Sequence, residues 1–76
     1  MIHIQLKLFV TLSKYLPENA DNLPLADGTT IADLISDLAI PMDDVKLVFI
    51  NGRKTELSYA LQEGDRLGLF PPVGGG

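Results

Sequence analysis

The chain has no cysteine. That absence removes disulfides, thiolate nucleophiles and cysteine-based metal sites together, and it sits comfortably with a reducing cytosol. Basic residues are few. Lys7, Lys14, Lys46, Arg53, Lys54 and Arg66 stand against ten acidic residues, for a formal net charge of -4. Apart from the Arg53–Lys54 pair they are scattered, so the phosphate-binding cluster that nucleic acids require is missing. Long hydrophobic runs are missing too. No stretch approaches the ~20 apolar residues of a membrane-spanning helix, and the opening MIHIQLK alternates polar with apolar residues where a signal peptide would be continuously apolar. These absences predict a soluble cytoplasmic domain with neither nucleic acid nor membrane among its partners.

Catalytic groupings are scarce as well. The single histidine, His3, falls on the polar face of a predicted strand and reads as a solvated side chain. Asp43-Asp44 is an acid pair with no third ligand nearby, which describes a charged loop better than a metal site. Ser13, Ser36 and Ser58 have no neighbouring base and no nucleophile-elbow context. The terminal glycines do not form a phosphate cradle, because no helix follows them. The expectation is a protein that catalyses nothing alone and has no metal site.

What is present describes a small globular domain. Hydrophobic residues make up 46% and charged residues 21% of 76 residues. A domain of this size buries only roughly 60% of the surface its unfolded chain exposes, so nearly every aliphatic side chain is needed in the core. In residues 2–10, IHIQLKLFV, Ile2, Ile4, Leu6, Leu8 and Val10 share one face, with His3, Gln5 and Lys7 opposite. Period two predicts a strand. Phe9 departs from the pattern by placing an aromatic ring on the polar face.

TLSKYLP predicts at most one helical turn, with Leu12, Tyr15 and Leu16 inward and Pro17 ending it. ENADN is turn chemistry. Leu23-Pro24-Leu25 reads as a short strand that Pro24 confines to an edge. Thr30 is a suitable N-cap with Asp33 three residues on, and Ile31, Leu34, Ile35 and Leu38 follow helical spacing, with Pro41 forcing an end by about residue 40. VKLVFI, residues 45–50, reads as a strand apolar on both faces, and which face is exposed stays open. Asn51-Gly52 predicts a type I′ hairpin turn, and Arg53-Lys54-Thr55 a short return strand. LSYAL has room for a turn of helix, with Leu57 and Leu61 facing the core. Gly64-Asp65 then turns the chain into a last strand, RLGLF, with Leu67 and Leu69 inward.

The order predicts an α+β fold: a mixed sheet of four to five strands wrapped on one main helix, with the first and last strands adjacent near the middle. One helix covers one sheet face, so Phe9, Phe70 and a residue of the 45–50 strand can meet on the open face as a hydrophobic patch for a partner. Pro71-Pro72 ends the last strand, having no N–H to donate, and favours an extended chain. Residues 1–72 therefore read as the folded domain and Val73, Gly74, Gly75 and Gly76 as a flexible tail. A glycine terminus by itself also fits an added tag or an inert remnant. Here, however, the glycines follow directly from a strand and a stiff diproline. Without side chains they suit a narrow channel, which points to the terminal carboxylate as the chemical group.

KLFVTLSKYLP, DGTTIADLI, VFINGR and EGDRLGLFPPVGGG, in this order and spacing, resemble the MoaD/ThiS sulfur carriers, ubiquitin-like β-grasp proteins, over essentially the whole chain. The resemblance implies that an E1-like enzyme adenylates the Gly76 carboxylate, consuming ATP and magnesium, and that a sulfur donor protein then displaces AMP to leave a thiocarboxylate. No cofactor held by the chain itself is implied. Gly75 and Gly76 correspond to the family's terminal pair. Phe70, Pro71 and Pro72 match the molybdopterin branch, whose tail enters the large subunit of molybdopterin synthase, and Phe9 stands where that branch places an interface aromatic. Gly74, a third glycine, and the short chain depart from that branch. They leave open a carrier for thiamine or another sulfur-containing product. A ubiquitin-like modifier of lysines and an interaction domain with an inert tail stay open beside it.

Overall fold

Alternation in the opening residues places Ile4, Leu6 and Leu8 in the core of the protein, along strand β1 (Ile2–Leu8). The computed structural model describes residues 1–72, so the expected separate tail at 73–76 falls outside it. The remaining strands are β2 (Leu23–Leu25), β3 (Leu47–Ile50), β4 (Arg53–Lys54) and β5 (Arg66–Phe70), and one helix, α1, spans Ile31–Asp37. Among the described residues they form a five-stranded sheet in the order β2-β1-β5-β3-β4. The β1–β5 pair is parallel and the other pairs are antiparallel. The first and last strands are central neighbours, and Pro24 lies in the edge strand β2 opposite His3.

Helix α1 starts where its cap chemistry dictates. The Asp33 amide donates to Thr30 Oγ1, and the Thr30 amide donates to the Asp33 carboxylate, closing a capping box. Ile31, Leu34 and Ile35 are buried in one cluster with Ile4, Leu6, Val48, Ile50, Leu67 and Leu69. The helix ends before Pro41 takes effect. Ala39 adopts φ 60°, its amide donates to Ser36 O, and the Ile40 amide donates to Ile35 O. These two bonds form a Schellman cap, built here on alanine where glycine is usual.

Three local expectations are corrected. Val10 leaves the strand at φ 55° and is 74% exposed, because the chain turns there into a 3-10 helix, Val10–Tyr15. Leu12 fills the core beneath that turn, whereas Leu16, extended ahead of Pro17, is exposed. Residues 57–61 form no helix. Their carbonyls are taken by the start of α1: Ile31 N–H donates to Tyr59 O and Ala32 N–H to Leu57 O. These are amides a helix leaves without internal partners, so the turn at Leu57-Ser58 and the residues after it satisfy them. Leu61 is still buried, as expected.

Candidate functional site

The face of the sheet away from α1 collects the residues that the alternation left over. In β3 the core positions are Val48 and Ile50, which settles the strand's open choice and turns Leu47 and Phe49 outward. Register places Leu47 opposite Phe70, and Phe49 opposite Gly68. Lys7 lies beside Gly68 on β1, and Lys54 pairs with Phe49 on β4. Phe9 remains extended, and its amide donates to Leu69 O, which holds its ring beside that of Phe70.

The result is an aromatic cluster. Phe9 and Phe70 stack with ring centroids 4.2 Å apart and planes 3° apart. Phe49 meets Phe70 edge-on at 5.5 Å and 83°. The first is a parallel stack, and the second is the edge-to-face arrangement favoured by ring quadrupoles. All three rings are half-buried, so their outer surfaces face solvent. Of the expected partner-binding residues, the structure thus brings Phe9 and Phe70 together and adds Phe49. Pro71 and Pro72 follow at once, the first half-buried and the second exposed. The last ladder bond before them runs from Lys46 N–H to Phe70 O, 2.8 Å. Val73, Gly74, Gly75 and Gly76 lie outside the described residues.

Below the cluster a polar knot fixes the start of β5. Asp65 is the one buried charged residue among those described. Its carboxylate accepts from Asn51 Nδ2 (3.0 Å), the Tyr59 hydroxyl (2.9 Å) and Gln62 N–H (2.9 Å). Asn51 also accepts from Arg66 N–H through Oδ1. The hydrogen bond to Asp65 holds the Tyr59 hydroxyl above its ordinary pKa, with desolvation and the negative charge of Asp65 acting in the same direction. In the sequence Asn51-Gly52 and Gly64-Asp65 read as separate turns. The bond that ties them together leaves no local signal, because residues so far apart share no short-range pattern. Asn51 at φ 52° and Gly52 at φ 86° have the type I′ geometry expected.

The catalytic candidates set aside from sequence stay apart. Among the described residues no group of three or more His, Cys, Asp or Glu side chains is placed to hold a metal ion. Ser13 Oγ donates to Val10 O in its own turn. His3 lies 3.7 Å from Glu63, whose carboxylate also accepts from the His3 amide. No helix among the described residues is long and apolar enough to cross a membrane.

Known structures share this architecture. A Pyrococcus furiosus protein described as a candidate molybdopterin converting factor, subunit 1, matches with TM-score 0.73 and 23% identity, covering 96% of this chain and 100% of its own. Small archaeal modifier protein 1 of Haloferax volcanii matches with TM-score 0.74 and 26% identity over 96% of this chain and 100% of its own. A further Haloferax volcanii protein, HVO 2177, matches with TM-score 0.74 and 27% identity over 99% of this chain and 87% of its own. No curated protein matches the sequence.

The mixed sheet on one helix, with an aromatic open face running into a glycine terminus, defines a ubiquitin-like β-grasp protein of the sulfur-carrier and modifier type. The ThiS family model matches residues 6–76, and the chain belongs to that family. Proteins of this kind are generally not catalysts themselves, and they work with E1-like enzymes and synthase partners.

Proposed function

We propose that this protein is a sulfur carrier whose Gly76 carboxylate is adenylated by an E1-like enzyme and converted to a thiocarboxylate for molybdopterin formation. The observation that carries this reading is the continuity from site to terminus. Phe70, stacked on Phe9, is followed immediately by Pro71-Pro72 and the glycines, within a family match that runs to residue 76.

A carboxylate is a poor acyl donor until it has a good leaving group. An oxygen of the Gly76 carboxylate attacks the α-phosphorus of ATP, pyrophosphate leaves, and magnesium in the partner neutralises the phosphates. A persulfide sulfur of the donor protein then attacks the acyl carbon and AMP departs. A thiol cleaves the resulting S–S bond by forming a disulfide with the donor, leaving the outer sulfur on Gly76 as the thiocarboxylate. The folded body binds and orients: the aromatic face rests on the partner, Pro71-Pro72 directs the chain outward, and Val73, Gly74 and Gly75 offer little bulk to a narrow channel. In this reading the large subunit of molybdopterin synthase takes up the loaded tail, and ATP and magnesium are consumed only by the activating partner.

The diproline after Phe70 favours molybdopterin over thiamine, and the likeness to the Pyrococcus protein adds support. A second reading, conjugation of Gly76 to lysines, is favoured by the likeness to small archaeal modifier protein 1. Intact-mass spectrometry after incubation with an E1-like enzyme, ATP and a sulfur donor separates them. A carrier gains the mass of one oxygen replaced by sulfur. A modifier appears on lysines of other proteins instead. An unchanged mass with an enzyme active on its own substrate rules out the carrier.

A further inference from the structure

Of the protein's asparagines, Asn51 alone is followed by glycine; Asn19 precedes Ala20 and Asn22 precedes Leu23. An asparagine side chain is open to attack by the backbone nitrogen of the next residue, and glycine hinders that attack least because it has no Cβ. At Gly52 the approach is clear. Both turn residues are exposed, and a Cβ built on Gly52 would meet no atom within 4 Å.

What restrains the reaction is the anchorage of the side chain. The Asn51 carboxamide is held at both ends: Nδ2 donates to Asp65 Oδ1 at 3.0 Å, and Oδ1 accepts from Arg66 N–H at 2.9 Å. Closing a ring onto Gly52 N requires that carboxamide to rotate out of both bonds. Its acceptor is fixed in turn, because the other oxygen of buried Asp65 takes the Tyr59 hydroxyl and Gln62 N–H, both at 2.9 Å. The backbone is committed as well, with Asn51 N–H donating to Arg66 O at 2.9 Å.

We propose that Asn51 is a self-modification site, converted to aspartate through attack by Gly52 N, and that Asp65 is the positioning residue that suppresses this in the folded protein. Gly52 N gives its proton to hydroxide and bonds to Asn51 Cγ. The Cγ–Nδ2 bond breaks, Nδ2 takes a proton from water and leaves as ammonia, and a succinimide remains. Water opens that ring at either carbonyl, leaving aspartate or its β-linked isomer at position 51. Only water is consumed. Neither product rebuilds the knot. Aspartate puts a carboxylate oxygen where Nδ2 donated to Asp65, so a donor becomes a like charge. The β-linked isomer lengthens the backbone between Ile50 and Arg53, whose pairing the two-residue turn sets. Each conversion therefore weakens the folded state that held it back, and the opening of this knot limits the folded lifetime of the chain.

The experiment incubates the whole chain at mildly alkaline pH, folded in buffer and unfolded in guanidinium chloride. Peptide mass follows position 51, where conversion reads as NH2 replaced by OH. In the unfolded chain Asn51 is expected to convert before Asn19 and Asn22. In the folded chain its conversion is expected to be slower by about tenfold or more, because it waits for local opening. Asp65→Asn keeps the shape of the side chain but replaces one accepting oxygen with an amino group. Two donors on the Oδ2 side favour keeping the oxygen there, which turns the amino group toward Asn51. This variant is expected to convert about threefold or more faster than wild type when folded, and at the wild-type rate in guanidinium. The converted chain, separated by its extra negative charge, is expected to unfold at a lower urea concentration than the intact chain. The proposal is overturned if folded and unfolded wild type convert at the same rate, or if Asn51 is not the first asparagine to convert. It is also overturned if folded Asp65→Asn converts no faster than wild type, or if the converted chain keeps the original urea midpoint. Should Asp65→Asn fail to fold, the comparison of folded with unfolded wild type decides alone.

Discussion

The rings of Phe9 and Phe70 lie parallel, 4.2 Å apart, at the ends of the two adjacent central strands of the sheet. Each ring is half-buried because the other covers it, so the pair serves the fold and the open surface together. Replacing Phe70 with alanine should lower the unfolding free energy by about 1–2 kcal/mol, less than the ~3–5 kcal/mol of a fully buried phenylalanine. Activation by the E1-like enzyme should fall by about tenfold or more. Urea unfolding set beside adenylation kinetics checks the contrast, and a stability loss at the upper figure would contradict the partner-facing role.

Removing Gly76 should separate folding from chemistry completely. Among the described residues, every member of the core cluster lies at or before Leu69. The shortened chain should unfold at the wild-type temperature in calorimetry yet form no acyl-adenylate with the activating enzyme. A marked loss of stability would show that the terminus packs on the body.

Asp65 is held by three donors from separate segments, so its loss should be felt by all of them. Asp65→Ala should cost about 2–4 kcal/mol, because a buried network loses its common acceptor. Denaturant titration gives the figure, and amide exchange should show the Asn51-Gly52 turn opening more readily.

The same carboxylate makes stability depend on alkaline pH. The Tyr59 pKa is raised in the folded protein, first by its hydrogen bond to Asp65. The folded state therefore holds that proton more tightly than the unfolded chain does. This contribution is fully present below the ordinary tyrosine value of ~10 and is lost as pH rises through the folded value. From about pH 9 to about pH 11, the stability difference between wild type and Tyr59→Phe should move against wild type, as read from urea midpoints.

Ala39 occupies the left-handed position of the cap that ends α1, at φ 60°. Glycine takes that conformation without a Cβ clash, so Ala39→Gly should stabilise the protein by about 1 kcal/mol. Thermal melts check it. This gain should leave activation kinetics untouched, since Ala39 lies at the end of the helix.

Much of the fold was legible in local pattern. Ile4, Leu6 and Leu8 declared one face of β1, Thr30 and Asp33 marked the start of α1, and Asn51-Gly52 announced its own turn. Each is a short-range signal: side-chain parity, a cap three residues long, a φ that few residues tolerate. Residues 57–61 misled because their helical spacing is real, but their backbone is committed to the N–H groups of α1. Val10 misled in the same way, since alternation carries no mark of where a strand must bend.

The sequence by itself determined the parity of the strands, the aromatic residues stranded on the polar side, the diproline and the terminal glycines. It therefore determined the family. Only the tertiary structure decided that Val48 and Ile50, and not Phe49, face the core, and that Phe49 completes the cluster of Phe9 and Phe70. It alone tied Asp65 to Asn51 and Tyr59, and it alone set Lys7, Gly68, Phe49 and Lys54 in one row. The reason is that parity assigns a side chain to a face, whereas neighbours across a sheet are assigned by register. Register depends on how distant strands pair, and no local stretch of sequence contains it.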